Sequence, residues 1–140
     1  MAGYSATPLA KKLGLKPPLT LLLMNAPREY RAWIGEVPDG VTLVNKWPRT
    51  IQAAHLFSTR KTEMRQLLRR LRTALEQAGF VWVSWPKKAS KVETDITEDV
   101  IREIALPMGF VDIKVCAVSD VWSGLKLVIR KSERTANTKR

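Results

Sequence analysis

The sequence predicts an α/β domain, a mostly parallel sheet flanked by helices and ending in an antiparallel β-hairpin, and three stretches carry that prediction. Leu19-Thr20-Leu21-Leu22-Leu23-Met24-Asn25 is a continuous apolar run without polar alternation, the pattern of a strand buried on both faces. Lys61 to Ala78 sets Met64, Leu67, Leu68, Leu71, Leu75 and Ala78 at i, i+3, i+4, i+7 spacing, which gives a helix one apolar face. Later, Val111, Ile113, Val115 and Ala117 alternate with Asp112, Lys114 and Cys116, and Leu125, Leu127 and Ile129 alternate with Lys126, Val128 and Arg130. Period two on both sides of a Ser119 to Gly124 turn is the signature of a hairpin.

The remaining elements follow in order. Thr7-Pro8 opens a short helix, because threonine can cap orphan amides and proline at the first helical position loses no hydrogen bond, and Gly14 ends it. Lys16-Pro17-Pro18 is a rigid lead into the first strand. Pro27 to Ile34 can form a helix ending near Gly35, and Val37-Pro38-Asp39-Gly40 turns the chain into a short strand, Val41 to Val44. Ile51 to Phe57 is the next strand. Gly79 ends the long helix, and Phe80 to Trp85 forms a second core strand closed by Pro86. Lys87 to Thr94 is polar and reads as a loop. Asp95 or Thr97 then caps a helix reaching about Leu106 and buried along Val100, Ile101, Ile104 and Ala105.

Composition narrows the function classes. The 140 residues, 45% of them hydrophobic, suit one α/β domain over residues 1–131 with a disordered basic tail over 132–140. A lone cysteine, Cys116, cannot form an internal disulfide, and with His55 the only histidine no metal site is assigned. No stretch approaches the roughly 20 apolar residues of a membrane helix, so a cytoplasmic protein without membrane contact is the expectation. The net charge of +11 is concentrated: residues 1–19 carry +3, residues 60–72 carry +5 and residues 130–140 carry +4. Such an excess attracts polyanions without specifying one.

The order of elements resembles a shortened class I methyltransferase fold, a Rossmann-like sheet whose final strand is inserted antiparallel through a terminal hairpin. Leu71-Arg72-Thr73-Ala74-Leu75-Glu76-Gln77-Ala78-Gly79-Phe80-Val81-Trp82-Val83 resembles the helix, glycine turn and strand found late in those enzymes. The blocks Gly3 to Gly14, Val83 to Ser90 and Trp122 to Leu127 also resemble a bacterial family of unknown function, a likeness reaching everything except the tail. That second resemblance implies the fold and brings no activity with it.

Where the methyltransferase pattern places glycines after the first strand, to let the backbone approach the cofactor, this chain has Asn25-Ala26-Pro27-Arg28. Pro27 also removes an amide that could donate to a ligand. The acid expected near the end of the second strand to hold a ribose is missing, because Val44 leads into Asn45-Lys46-Trp47. No cofactor is therefore assigned. The reading is a non-enzymatic or degenerate methyltransferase-like domain, with an S-adenosylmethionine-dependent methyltransferase of atypical cofactor site as the alternative.

Ligands of open α/β sheets bind beyond the carboxyl ends of the strands. That edge is expected to gather Asn25, Arg28, Trp85, Lys87, Lys88 and Ser90, with Trp122 and Ser123 from the hairpin. Two tryptophans flanking two lysines suit a small anionic ligand, or a protein partner, through stacking and charge together. His55 lies within Ala53-Ala54-His55-Leu56-Phe57 and reads as a hydrogen-bonded core residue, Cys116 as a buried one, and Asp95, Glu98, Asp99 and Glu103 as helix-terminal acids that favour the dipole. A nucleic-acid accessory role is the other alternative, resting on Arg65, Arg69, Arg70 and Arg72 of the basic helix and on the tail.

Overall fold

A computed structural model describes residues 7–134. Its core is a six-stranded sheet built from β1 (Leu19–Met24), β2 (Val41–Val44), β3 (Ile51–Phe57), β4 (Leu75–Pro86), β5 (Phe110–Ala117) and β6 (Trp122–Ile129), in the order β2-β1-β3-β4-β6-β5. The first four strands in that order are parallel; β6 runs antiparallel between β4 and β5. Four helices flank it: α1 (Leu9–Lys12), α2 (Tyr30–Ile34), α3 (Lys61–Ala74) and α4 (Glu98–Ala105). This is the expected Rossmann-like, methyltransferase-like α/β architecture with its terminal hairpin. β1 pairs with β2 on one side and with β3 on the other, so the strand order reverses between β1 and β3. That reversal creates a crevice at the carboxyl ends of the strands.

Each face of the sheet has its own core. Leu22, Met24, Leu56, Val81, Val83 and Trp85 pack under Met64, Leu68 and Leu71 of α3 and Ile101 and Ile104 of α4. Leu21, Leu23, Ala53, Phe57 and Trp82 face the opposite way, under Leu9 and Leu13 near α1 and Tyr30 and Ile34 of α2. The alternation of β1 residues between two apolar layers explains why that strand needs an uninterrupted hydrophobic run. Trp82 donates its indole N–H to the Leu13 carbonyl at 2.9 Å, which ties the end of α1 to the sheet.

The structure corrects several boundaries. α3 stops at Ala74 instead of Ala78, since Leu75 takes extended geometry and pairs with Ile51. Helical spacing continues by coincidence through Leu75 and Ala78, but Ala78 is exposed and belongs to β4. Gly79 serves the ladder instead of the helix end. A Cβ there would lie 2.7 Å from the Gln52 carbonyl oxygen, beside the register shift between Ile51 and Ala53. Gly124, expected in the hairpin turn, lies within β6, where a Cβ would come within 3.1 Å of the Trp82 ring. The turn is shorter, with Val118 N–H donating to Trp122 O at 2.9 Å and the Ser119 hydroxyl accepting from Val121 and Trp122 amides.

α2 begins at Tyr30, because Pro27 to Glu29 are taken up by a turn in which Tyr30 N–H donates to Pro27 O at 2.9 Å. Pro8, not Thr7, is the N-cap of α1, and its own side chain makes no capping hydrogen bond. Thr97 caps α4, its hydroxyl accepting from Val100 N–H at 3.1 Å. The strict alternation expected of β5 is broken by a register shift between Asp112 and Lys114. Ile113 and Val115 are left 56% and 53% exposed at the sheet margin. Residues 132–134 are not a disordered start to the tail: Lys131–Glu133 forms a 3-10 turn and Arg134 Nε donates to Ile129 O at 3.0 Å. Residues 135–140 of the expected tail lie outside the described residues. Among those described, no helix is long and apolar enough to cross a membrane.

Candidate functional site: two clefts at the carboxyl edge

Asn25 follows β1 with φ of 59°, left-handed backbone that asparagine tolerates better than other residues with a Cβ. It thus occupies the turn without the glycine that a close-approach loop requires. Its Nδ2 donates to the Phe57 carbonyl at 3.3 Å, joining the ends of β1 and β3 across the strand-order reversal. Beside this link a cleft of about 460 Å³ opens between the ends of β1 and β2 and the first turns of α3. Asn25, Asn45, Trp47, Glu63 and Leu67 line it.

The sequence reading marked Asn45 and Trp47 only for a missing acid. An acid is nevertheless present, since Glu63 enters this cleft from α3 and accepts from the Ser58 hydroxyl at 2.6 Å. Its position one turn into the helix after β3 was the available signal. Trp47 carries the Arg70 guanidinium over its ring, 4.0 Å from the centroid. Among the described residues, two amides and one carboxylate are the polar side chains lining this cleft and no cation does, a set that suits hydroxyl and amine groups better than an anion.

A second cleft, of about 590 Å³, lies past the end of β4; Trp85, Lys87, Lys88, Lys91, Thr97 and Ser123 line it together with two acids, Glu93 and Glu98, the latter paired with Arg102. Of the predicted edge residues, Trp85, Lys87, Lys88 and Ser123 thus meet, and Asn25 lies in the other cleft. At the rim of this second cleft, Thr94 and Asp95 are tied to the segment that follows β3. Thr94 Oγ1 donates to Thr59 O at 2.7 Å, and the Asp95 carboxylate accepts from Lys61 N–H at 2.7 Å.

Trp122 does not join Trp85. Their neighbouring register positions, Trp85 opposite Ser123 and Pro86 opposite Trp122, put the two rings on opposite faces of the sheet. Trp122 packs edge-on against Phe57 with centroids 5.0 Å apart, whereas Trp85 belongs to the core under α3 and α4. The expected two-tryptophan clamp is therefore replaced by one indole beside lysines. Ser90 uses its hydroxyl locally, donating to Lys87 O at 2.7 Å and accepting from Val92 N–H. Arg28 is exposed in the turn ahead of α2.

The other candidates resolve into structural roles. His55 is fully buried, bonded through Nδ1 to the Tyr30 hydroxyl at 2.9 Å and through Nε2 to the Ser84 hydroxyl at 2.8 Å. Burial lowers its pKa from 6.5 to about 3, which keeps the imidazole neutral, and the same burial raises the Tyr30 phenol. Cys116 is half-buried, and desolvation raises its thiol pKa. Glu98 and Asp99 of α4 and Asp112 of β5 all pair with Arg102, so the α4 acids help to hold a guanidinium. Among the described residues no three His, Cys, Asp or Glu side chains converge as a metal set. On the basic helix Arg70 is committed to the Trp47 ring and Arg72 to the Met108 carbonyl at 2.9 Å and to Glu133, whereas Arg65 and Arg69 pair with no ring or carboxylate among the described residues.

No family model matches the chain, and no curated protein matches it. Solved structures do. A ribosomal protein L11 methylase from Lactobacillus delbrueckii subsp. bulgaricus superposes with a TM-score of 0.53 at 13% identity, over 87% of this chain and 75% of that one. The magnesium protoporphyrin IX methyltransferase of Synechocystis PCC 6803, solved with bound S-adenosylmethionine, gives a TM-score of 0.55 at 11% identity, over 87% and 74%. A pericyclic reaction enzyme gives 0.51 at 13% identity, over 87% of this chain and 39% of that one. The chain shares the methyltransferase-like fold, and proteins with that fold carry out different reactions.

Proposed function

We propose that this chain is a methyltransferase-like binding domain that takes a small anionic ligand in the cleft past β4, among Trp85, Lys87, Lys88 and Lys91. The observation that carries the reading is the Asn25 to Phe57 hydrogen bond. It places a side chain across the strand-order reversal, where a cofactor-binding loop would bring bare backbone to its ligand. The residues after β1 therefore do not fit the close approach made to S-adenosylmethionine, and no methyl-transfer step is derived. Past β4, Lys87, Lys88 and Lys91 outnumber Glu93 and Glu98, and Glu98 is held by Arg102, so the lining keeps a net positive charge for an anion above the largely buried Trp85. A protein partner offering a carboxylate would use the same groups.

Thermal unfolding of the purified chain with inorganic phosphate, nucleoside monophosphates, S-adenosylmethionine and its demethylated product tests this assignment. The expected result is a saturable rise in Tm with an anion, abolished in Lys87→Gln/Lys88→Gln and retained in Asn25→Gly. One observation favours the methyltransferase alternative: Asn25, Asn45 and Glu63 face a 460 Å³ cleft beside β1 and β2, with donors and an acceptor for the hydroxyls of a nucleoside. A saturable shift with S-adenosylmethionine that is lost in Glu63→Gln would establish that alternative and displace the anion reading.

A further inference from the structure

α1 and α2 cover the β1, β3 and β4 part of one sheet face. Beyond α1, toward β6 and β5, that face presents lysines. Lys126 of β6 lies with its ammonium 4.4 Å from the Phe80 ring centroid and 5.9 Å from that of Trp82. A Cβ on Gly14 would come within 3.1 Å of the same nitrogen, so the end of α1 closes over it. Lys114 is the register partner of Lys126, and its ammonium donates to the Lys12 carbonyl at 3.2 Å. Chain segments about one hundred residues apart therefore bring cations to one surface.

The cations are close enough to act on each other. Burial is the main cause lowering the Lys126 pKa, and the charges of Lys114 and Lys16 add to it. Lys12 and Lys114 in turn both favour the Cys116 thiolate against burial. Among the described residues no carboxylate pairs with Lys12, Lys16, Lys114 or Lys126. Glu36 lines an adjacent groove with Lys11 and Lys16 and pairs with neither. A half-buried ammonium that has aromatic rings but no carboxylate beside it, amid like charges, is only partly compensated.

We infer that this face, formed by Lys12, Lys16, Lys114 and Lys126 at the junction of α1 with the β5–β6 hairpin, docks the phosphate backbone of a nucleic acid. Lys16 and Lys114 are exposed and Lys126 is half-buried beneath the end of α1, so a single small anion would be poorly enclosed by the set. A polyanion gains from each additional phosphate it neutralises and from the counterions it releases. Lysines act as point charges on flexible stems, which favours sequence-independent backbone contact over the mixed donor and acceptor pattern of a peptide site. The net charge of +11 adds long-range attraction of the same sign. The surface is separate from the cleft past β4 and does not depend on the function proposed for it.

Fluorescence anisotropy with labelled single- and double-stranded oligonucleotides, between 25 and 200 mM salt, tests this on the full chain. Binding is expected at low salt, with log Kd linear in log salt and, in Lys16→Gln/Lys114→Gln, a slope shallower by about 0.9 for each contact removed. Lys126→Met keeps the apolar stem over Phe80 and should weaken binding several-fold with an unchanged circular dichroism spectrum. The assignment is overturned by no binding at 25 mM salt, or by a slope unchanged in the lysine variants but lowered in Arg65→Gln/Arg69→Gln. Equal competition by polyglutamate would overturn it in favour of an acidic protein. Loss only in Lys87→Gln/Lys88→Gln would overturn it by moving the contact to the carboxyl edge.

Discussion

Burying an imidazole inside a sheet makes stability depend on pH, and His55 makes that dependence measurable. Its folded pKa is about 3 against an ordinary 6.5, so below pH 6.5 the unfolded chain takes up a proton that the folded chain refuses. The stabilisation is complete above pH 6.5 and declines by about 1.4 kcal/mol per pH unit as pH falls toward 3. Urea unfolding at pH 5.0 should therefore give a stability about 2 kcal/mol below that at pH 7.5, with the difference reduced in His55→Gln. The core role of His55 was legible from its apolar neighbours Ala54 and Leu56. Its partners were not, because Tyr30 and Ser84 lie 25 and 29 residues away and only the parallel register assembles them. Asn25 offers a second test. Asn25→Gly keeps the left-handed backbone and loses only the side-chain bond, so it should cost about 1 kcal/mol, whereas Asn25→Ala adds backbone strain of about another 1 kcal/mol. Thermal melts of the two variants should separate by several degrees.

At the scale of elements, α3 passes into β4 without a loop, and this junction shows what periodicity leaves out. Leu75 satisfies the helical spacing and is buried either way, so hydrophobic pattern alone cannot choose between a last helical turn and a first strand residue. Ile51 of β3 decides it by offering a ladder partner. Gly79→Ala should destabilise the chain by about 1–3 kcal/mol through contact with the Gln52 carbonyl, as read by chemical denaturation. The start of α3 is held from a distance, since the residue before it, Arg60, makes no side-chain cap and Asp95 accepts from Lys61 instead. Asp95→Ala should cost about 1 kcal/mol, with faster amide exchange at Lys61 as its local signature. The candidate site was legible to the same degree. Trp85, Lys87, Lys88 and Ser123 meet because β4 and β6 are adjacent, but Asn25 lies in the other cleft. The opposite facing of Trp85 and Trp122 follows from a register that no single strand reveals.

The whole molecule carries far more positive than negative charge, and folding brings those charges together. Self-repulsion of this kind weakens with screening. Raising sodium chloride from 10 to 200 mM should raise Tm by a few degrees, and sodium sulfate at equal ionic strength should raise it further through anion binding in the lysine-lined cleft past β4. The mostly parallel sheet and its closing hairpin were readable because strands buried on both faces and strands with period two leave different patterns. The division into two clefts was not, since their linings are assembled from segments distant in sequence. At the sheet margin, β5 has Lys114 and an interrupted register between Asp112 and Lys114, with Ile113 and Val115 turned outward. An extra residue and a charge at an open margin deny a second chain an unbroken template for fibril-like growth. Deleting Ile113 would restore even spacing along that margin, so a one-residue change far from either cleft could govern whether the protein polymerises.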